Sequence, residues 1–247
     1  MHTSIAAYHF VAIDDPAAVA ADVRTRAEAC LLLGTVLVAG EGINLFLAGD
    51  AADVDAFLAW LRGDARFADL HAKASHSRTR PFARLKVKVK REIISFRRED
   101  ASPLEGRAPG VAPRDLARWI AQGHDDAGRR LVLLDTRNRE EIGHGSFAGA
   151  LTLPIDNFTE LPDALAPHRA ALADATVVGF CTGGIRCEKA VKWMRADGHA
   201  NALQLDGGIL GYFEEVGGFG YEGRCFVFDE RIALDSGLRA AADADAR

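Results

Sequence analysis

The chain opens with a nearly unbroken apolar run over 4–13, carrying Tyr8 and Phe10 and closed by Asp14-Asp15-Pro16. Such a run reads as a buried strand, and the acid pair with proline behind it reads as a helix start with Pro16 at the first helical position. Val19, Val23, Ala27 and Cys30 or Leu31 recur at three to four residues and so share one helical face, while Gly34 stands where a helix C-terminus is capped. Apolar segments 35–39 and 43–48 flank Gly40-Glu41-Gly42 and predict a hairpin. Asp50 is placed to cap a second helix, whose stripe is Val54, Phe57, Leu58 and Leu61 and whose end is Gly63. After an irregular stretch, residues 85–90 alternate strictly and predict the next strand. The order β-α-β-β-α-β predicts a ferredoxin-like α+β domain over residues 1–98.

Residues 101–113 hold three prolines and two glycines, and 99–113 reads as a linker. Beyond it, the pattern alternates strand and helix. A short helix over 114–122 carries Trp119, and apolar strands are expected at 131–134, 150–154, 176–180 and 202–205, with helices over 162–173 and 188–195. This alternation predicts a parallel α/β domain over 114–222, with its ligand crevice at the carboxyl ends of the strands. Residues 223–247 form a C-terminal extension, in which 225–231 is a strand or packed arm and the alanine- and acid-rich end from 240 is expected to be disordered.

Composition adds compartment and partner. With 49% hydrophobic and 26% charged residues among 247, this is an ordinary globular composition, and a net charge of -5 argues against indiscriminate nucleic-acid binding. The charge is unevenly spread. Between Arg78 and Arg98, nine basic residues face the single acid Glu92, a local +8 that includes Arg84, Lys86, Lys88 and Lys90 on one face of the 85–90 strand. Such an excess of one sign fits either a phosphate surface or a solvated edge that discourages strand pairing. Four cysteines without a CxxC pair imply free thiols in a reducing compartment, and the absence of a membrane-spanning run or export pattern implies the cytoplasm and no membrane partner.

The chemistry concentrates at Cys181-Thr182-Gly183-Gly184-Ile185-Arg186-Cys187, between a strand end and a helix start. Gly183 and Gly184 let the backbone curl and turn successive N–H groups inward, the helix N-terminus adds partial positive charge, and Arg186 adds a full one. A thiol in that cradle is expected to ionise readily and act as a nucleophile; the bland alternative is a small buried hydrophobe at a strand end. Histidines are scattered, no metal site is expected, and no flavin fingerprint is present, so no cofactor is identified from the residues.

These residues resemble the active-site loop of rhodanese domains, and the longer string Cys-Thr-Gly-Gly-Ile-Arg-Cys-Glu-Lys-Ala resembles the signature of the tRNA uridine hydroxylase family. Asp135, Arg137, Glu141, Gly145, Phe147, Gly149 and Ala150 follow the rhodanese pattern as well, and Gly40-Glu41-Gly42-Ile43-Asn44 is similar to a motif of the family's N-terminal, acylphosphatase-like module. Here Leu45 and Phe46 follow that motif where small residues are usual, which leaves Asn44 without an assigned role. The resemblance implies hydroxylation of the wobble uridine of tRNA to 5-hydroxyuridine, with molecular oxygen as co-substrate, a reductant the sequence does not name, tRNA as partner and no DNA. Cys181 is the implied catalytic residue, through a persulfide held by Thr182, Gly183, Gly184, Ile185 and Arg186. Four residues separate Cys181 from Arg186, whereas cysteine phosphatases of this fold place five to fit a phosphate, so sulfur chemistry is the expectation. Asp135 and Arg137 are expected to pair and hold their loop. Cys187 is expected to pack or cap, with a resolving thiol as the alternative. Two other readings remain, a sulfurtransferase serving a small acceptor and a non-enzymatic RNA- or protein-binding module.

Overall fold

The computed structural model describes residues 1–240; the expected tail therefore lies, from 241 onward, outside the described residues. The chain forms two compact units, one gathering Met1–Ser95 with the later segment Val227–Ile232, the other gathering Phe96–Phe226 with Ala233–Leu238.

In the first unit β1 (His2–Phe10), α1 (Pro16–Ala29), β2 (Leu33–Ala39), β3 (Gly42–Gly49), α2 (Ala51–Arg62), β4 (Ala72–Ser77) and β5 (Leu85–Val89) build one sheet in the order β4-β1-β3-β2-β5. This is the expected ferredoxin-like sheet, with one reassignment. The fourth strand of the motif is β4, antiparallel to β1, and the alternating basic segment is a fifth strand added parallel to β2 at the opposite edge. Ala-Lys-Ala-Ser-His-Ser has no apolar alternation because an edge strand of small and polar residues is stabilised by its ladder rather than by side-chain burial.

Ile5, Ala7, Val36, Val38, Ile43, Leu45, Leu47 and Val87 pack under α1 and α2, each large aliphatic side chain contributing roughly 1.5–3 kcal/mol. Asp15 starts α1 by accepting hydrogen bonds from the N–H groups of Ala17 and Ala18. That helix stops before Gly34. Leu31 takes the left-handed turn (φ 53) and is exposed, while Gly34 lies in β2 (φ 139), where a Cβ would come 2.0 Å from the Phe46 carbonyl oxygen. Close strand approach, not helix capping, is what requires glycine there.

The second unit holds β6 (Gly110–Val111), α3 (Pro113–Gln122), β7 (Leu131–Asp135), α4 (Arg139–Ile142), β8 (Gly145–Phe147), β9 (Leu151–Thr152), α5 (Leu161–Leu165), α6 (Arg169–Leu172), β10 (Thr176–Phe180), α7 (Ile185–Ala196), β11 (Ala202–Leu205), α8 (Gly208–Val216), β12 (Tyr221–Gly223), β13 (Cys225–Phe226) and β14 (Ala233–Leu234). Its five-stranded sheet runs β6-β11-β10-β7-β9, all parallel, as the alternation predicts. The helix expected over 162–173 is interrupted, since Pro167 has no N–H to donate and the chain passes through a 3-10 turn at Ala166–His168 between α5 and α6. The stretch read as a linker contains two 3-10 turns, Glu99–Ala101 and Pro103–Glu105, and strand β6, all in this unit. Among the described residues no helix is long and apolar enough to cross a membrane.

Candidate functional site

Parallel pairing sets Asp135 at the end of β7 beside Phe180 at the end of β10, so the chain leaves the sheet into Cys181 at the carboxyl edge where crevices form. Helix α7 begins earlier than the periodicity suggests. Its N-cap is Gly184, with φ 102, and Ile185, Arg186 and Cys187 make its first turn. Only Gly184 of the two loop glycines uses the left-handed region; Gly183 has no positive φ, and a Cβ there meets nothing within 4 Å.

The Gly184 N–H donates to Cys181 Sγ at 3.2 Å, and the Arg186 N–H and the Cys187 thiol donate to the same sulfur. Burial alone would push the Cys181 thiol up. The Cys187 hydrogen bond, the Arg186 charge and the two N–H groups outweigh it and bring the thiol down to about 6. Cys187 moves the opposite way, well above the usual thiol range, because it is buried and stands against the Cys181 charge. Its sulfur also lies 3.6 Å from the Thr136 hydroxyl, which has one proton to give either to that sulfur or to the Phe180 carbonyl 3.0 Å away. Both thiols are fully buried.

Arg186 does not hold the loop alone. Its Nη1 and Nη2 donate to the two carboxylate oxygens of Glu141 at 2.6 Å each, in a buried fork-to-fork pair. Burial works against the guanidinium, but Glu141 and Cys181 hold it charged. Glu141 sits on α4, whose start is a capping box with Asn138, and it also accepts from Thr182 Oγ1 at 3.4 Å.

Asp135 and Arg137 pair as expected, fully buried, through Arg137 Nε and Nη2 at 2.9 and 2.6 Å. Ser146 Oγ donates to Asp135, Arg137 donates to the Gly145 carbonyl, and the Tyr221 hydroxyl donates to that same carbonyl, so the pair joins β7 to the two-stranded β8–β12 sheet.

The back of the loop rests on α8. Ile209 N–H donates to the Cys181 carbonyl at 2.9 Å and Leu210 N–H to the Thr182 carbonyl at 3.0 Å. Gly208 (φ 62) makes this approach possible, since a Cβ there would lie 2.5 Å from the Cys181 oxygen and 2.7 Å from the Gly184 nitrogen. Cys225, buried and pushed up to about 12 by that burial, lies against Thr182 from another side.

Glu141, Thr136, Gly208 and Cys225 are site residues that motif reading left without a role. The first two lie within or beside the Asp-x-Arg pattern, which carried the signal; nothing in the spacing of Cys225 points to the loop. Lys86 and Lys88 lie on β5 in the first unit and Arg84 and Lys90 flank it at either end, with Lys86 half-buried and the other three exposed.

Residues 2–93 match the UPF0176 acylphosphatase like domain, and residues 113–215 match the Rhodanese-like domain. The chain is similar to the tRNA uridine(34) hydroxylase of Xanthomonas campestris pv. campestris (strain 8004), at 68% identity covering 98% of this chain and 96% of that protein. It is also similar to the protein of the same name from Xylella fastidiosa (strain 9a5c), at 63% identity covering 96% and 93%. Among solved structures, a human single-domain sulfurtransferase covers 44% of this chain at 30% identity, with 97% of its own length matched and a TM-score of 0.36.

Proposed function

The chain belongs to the tRNA uridine(34) hydroxylase family, and on that premise we propose that Cys181 is the reacting thiol of an enzyme that hydroxylates the wobble uridine of tRNA. The protein is an oxidoreductase and tRNA is its substrate. Molecular oxygen is the source of the new hydroxyl at uracil C5, and the cytoplasm, where thiols stay reduced, is the setting.

One observation carries the assignment of Cys181. Its sulfur is the point on which the Gly184 and Arg186 N–H groups, the Cys187 thiol and the Arg186 charge converge. Such a cradle stabilises a sulfur anion, either a thiolate or the persulfide formed when a sulfane sulfur is added to it. The Glu141 pair supports the reading, because it takes up both Nη groups of Arg186 and so keeps the guanidinium in place beside the sulfur.

The test is nucleoside mass spectrometry of tRNA from a strain lacking the gene, complemented with the wild-type chain or with Cys181→Ser. The wild type is expected to restore 5-hydroxyuridine and the serine variant to leave it absent at equal protein level. Restoration by the serine variant would remove Cys181 from the chemistry. Persulfide formation is tested separately, by loading the wild type from thiosulfate and releasing thiocyanate with cyanide; no release at any pH overturns the persulfide and leaves the thiolate.

A further inference from the structure

One face of the first unit's sheet carries chemistry that the Cys181 loop leaves unused. Strand register allows that face to be followed row by row. Thr35 lies opposite both Lys86 and Phe46, and Phe46 lies opposite Ala6. In the next row Leu37 lies opposite Lys88 and Asn44, and Asn44 lies opposite Tyr8. Residues two apart on a strand share a face. Arg84, Lys86 and Lys88, together with Phe46, Tyr8 and Phe10, therefore point away from α1 and α2, which cover the side holding Ile5, Leu45 and Val87.

The rings on this face are half-buried and form two pairs, and in the row between Tyr8 and Lys88 the buried Asn44 donates to the Ile93 carbonyl. Tyr8 and Phe10 meet edge to face at 5.9 Å. Phe46 lies 5.8 Å from Phe228, which is 47% exposed and reaches the sheet on the segment Val227–Ile232. The segment is anchored by Arg231, which pairs with Asp229 and donates to Ser75 Oγ on β4.

Rings beside a row of cations match a ligand with flat apolar faces joined by phosphates. A duplex offers its phosphates but keeps its bases stacked inside, so surface rings would gain nothing from it; unpaired bases can be splayed onto them. The layout fits in detail. β1 and β3 are neighbours inside the sheet and present the rings, while the edge strand β5 presents the cations. With strands about 4.8 Å apart, β5 is roughly 10 Å from β3, a span that a lysine side chain and the base-to-phosphate reach of a nucleotide cover together.

We propose that this sheet face binds unpaired bases of RNA, with Tyr8 and Phe46 as the stacking residues and Arg84, Lys86 and Lys88 as phosphate contacts. The proposal rests on the reading of the chain as a tRNA enzyme and goes beyond it by making an unpaired loop, not a helical stem, the part that the first unit recognises.

The test uses the full chain and two RNAs of equal length, a hairpin with an anticodon-sized unpaired loop and a fully paired control. The wild type is expected to prefer the hairpin. Tyr8→Leu/Phe46→Leu keeps the apolar contact but removes the π faces, and is expected to weaken hairpin binding by on the order of tenfold to a hundredfold while paired-RNA binding and its salt dependence stay as they were. Tyr8→Phe/Phe46→Tyr retains the rings and is expected to bind as the wild type does. Should the leucine variant fail to fold, ultraviolet crosslinking of wild-type protein to hairpin carrying 5-iodouridine in its loop decides, with adducts expected on Tyr8 or Phe46. Equal binding of the two RNAs by the wild type, unchanged hairpin affinity in a folded leucine variant, or adducts confined to other residues would each overturn the proposal. Restoration of 5-hydroxyuridine by the wild-type chain reports separately on the enzyme reading, so loss of the platform and loss of the enzyme are distinguishable.

Discussion

At the scale of single residues, the site is governed by how one sulfur and one guanidinium are each surrounded. Cys181 and Cys187 are both buried thiols, yet their acidities move in opposite directions, because Cys181 is met by the Cys187 thiol, the Arg186 charge and two N–H groups, whereas Cys187 is buried against the charge on Cys181. Thiolate is the nucleophile, so the rate of Cys181 alkylation by iodoacetamide should rise as pH climbs toward about 6 and level off above it, well below the free-thiol value of about 8.5. A midpoint at or above the free-thiol value would show that burial, not the cradle, governs this sulfur. The Glu141–Arg186 pair gives two changes of unlike effect. Arg186→Met removes a positive charge beside the sulfur and should shift the alkylation midpoint upward. Glu141→Gln leaves that charge buried without its counter-ion, so it should cost about 3–5 kcal/mol in urea unfolding without raising the midpoint.

At the scale of elements, the loop is shaped by two helix starts rather than one. The first turn of α7 supplies the N–H groups facing the sulfur, and the start of α8 holds the loop's carbonyls from behind. The contact between them is backbone to backbone, which makes the glycines unequal. Gly208→Ala would drive a methyl into the Cys181 carbonyl at a left-handed residue, and is expected to destabilise the protein by more than 1 kcal/mol and to abolish hydroxylation. Gly183→Ala has open space and an ordinary φ, so its unfolding midpoint should stay close to wild type. Equal losses in the two variants would contradict the close approach of α8. The sequence pointed to Gly183 and Gly184 as a turn; which glycine around the loop tolerates a Cβ follows from what lies across the gap.

At the scale of the whole molecule, charge is partitioned. A net -5 coexists with +8 between Arg78 and Arg98, so the rest of the chain is strongly acidic. Long-range repulsion of RNA by the acidic parts is screened within about 8 Å at physiological salt, and contacts at β5 are felt locally. Replacing Arg84, Lys86, Lys88 and Lys90 together by glutamine should weaken tRNA binding, flatten the log–log salt slope by somewhat under one unit per lost contact, and lower wobble modification in cells. Sulfur transfer from thiosulfate to cyanide should be little changed, since it needs only the loop at Cys181. An unaltered salt slope would mark β5 as a solvated edge.

What the sequence determines by itself is whatever is encoded within a few residues. The period of apolar positions, caps such as Asp15-Pro16 and the string from Cys181 to Cys187 are local, and from them follow the ferredoxin-like order, the parallel second domain and the candidate nucleophile. Tertiary structure decides the pairings that cross long stretches of chain. Arg186 finds Glu141 45 positions away, the Tyr221 hydroxyl reaches the Gly145 carbonyl that Arg137 also holds, and the start of α8 closes on Cys181. It also decides which segment becomes the fourth strand. The strictly alternating 85–89 reads as the stronger candidate, but hydrogen-bond pairing with β1 goes to polar Ala72–Ser77, because a strand's neighbour is chosen by chain connection and ladder geometry, which side-chain periodicity does not record.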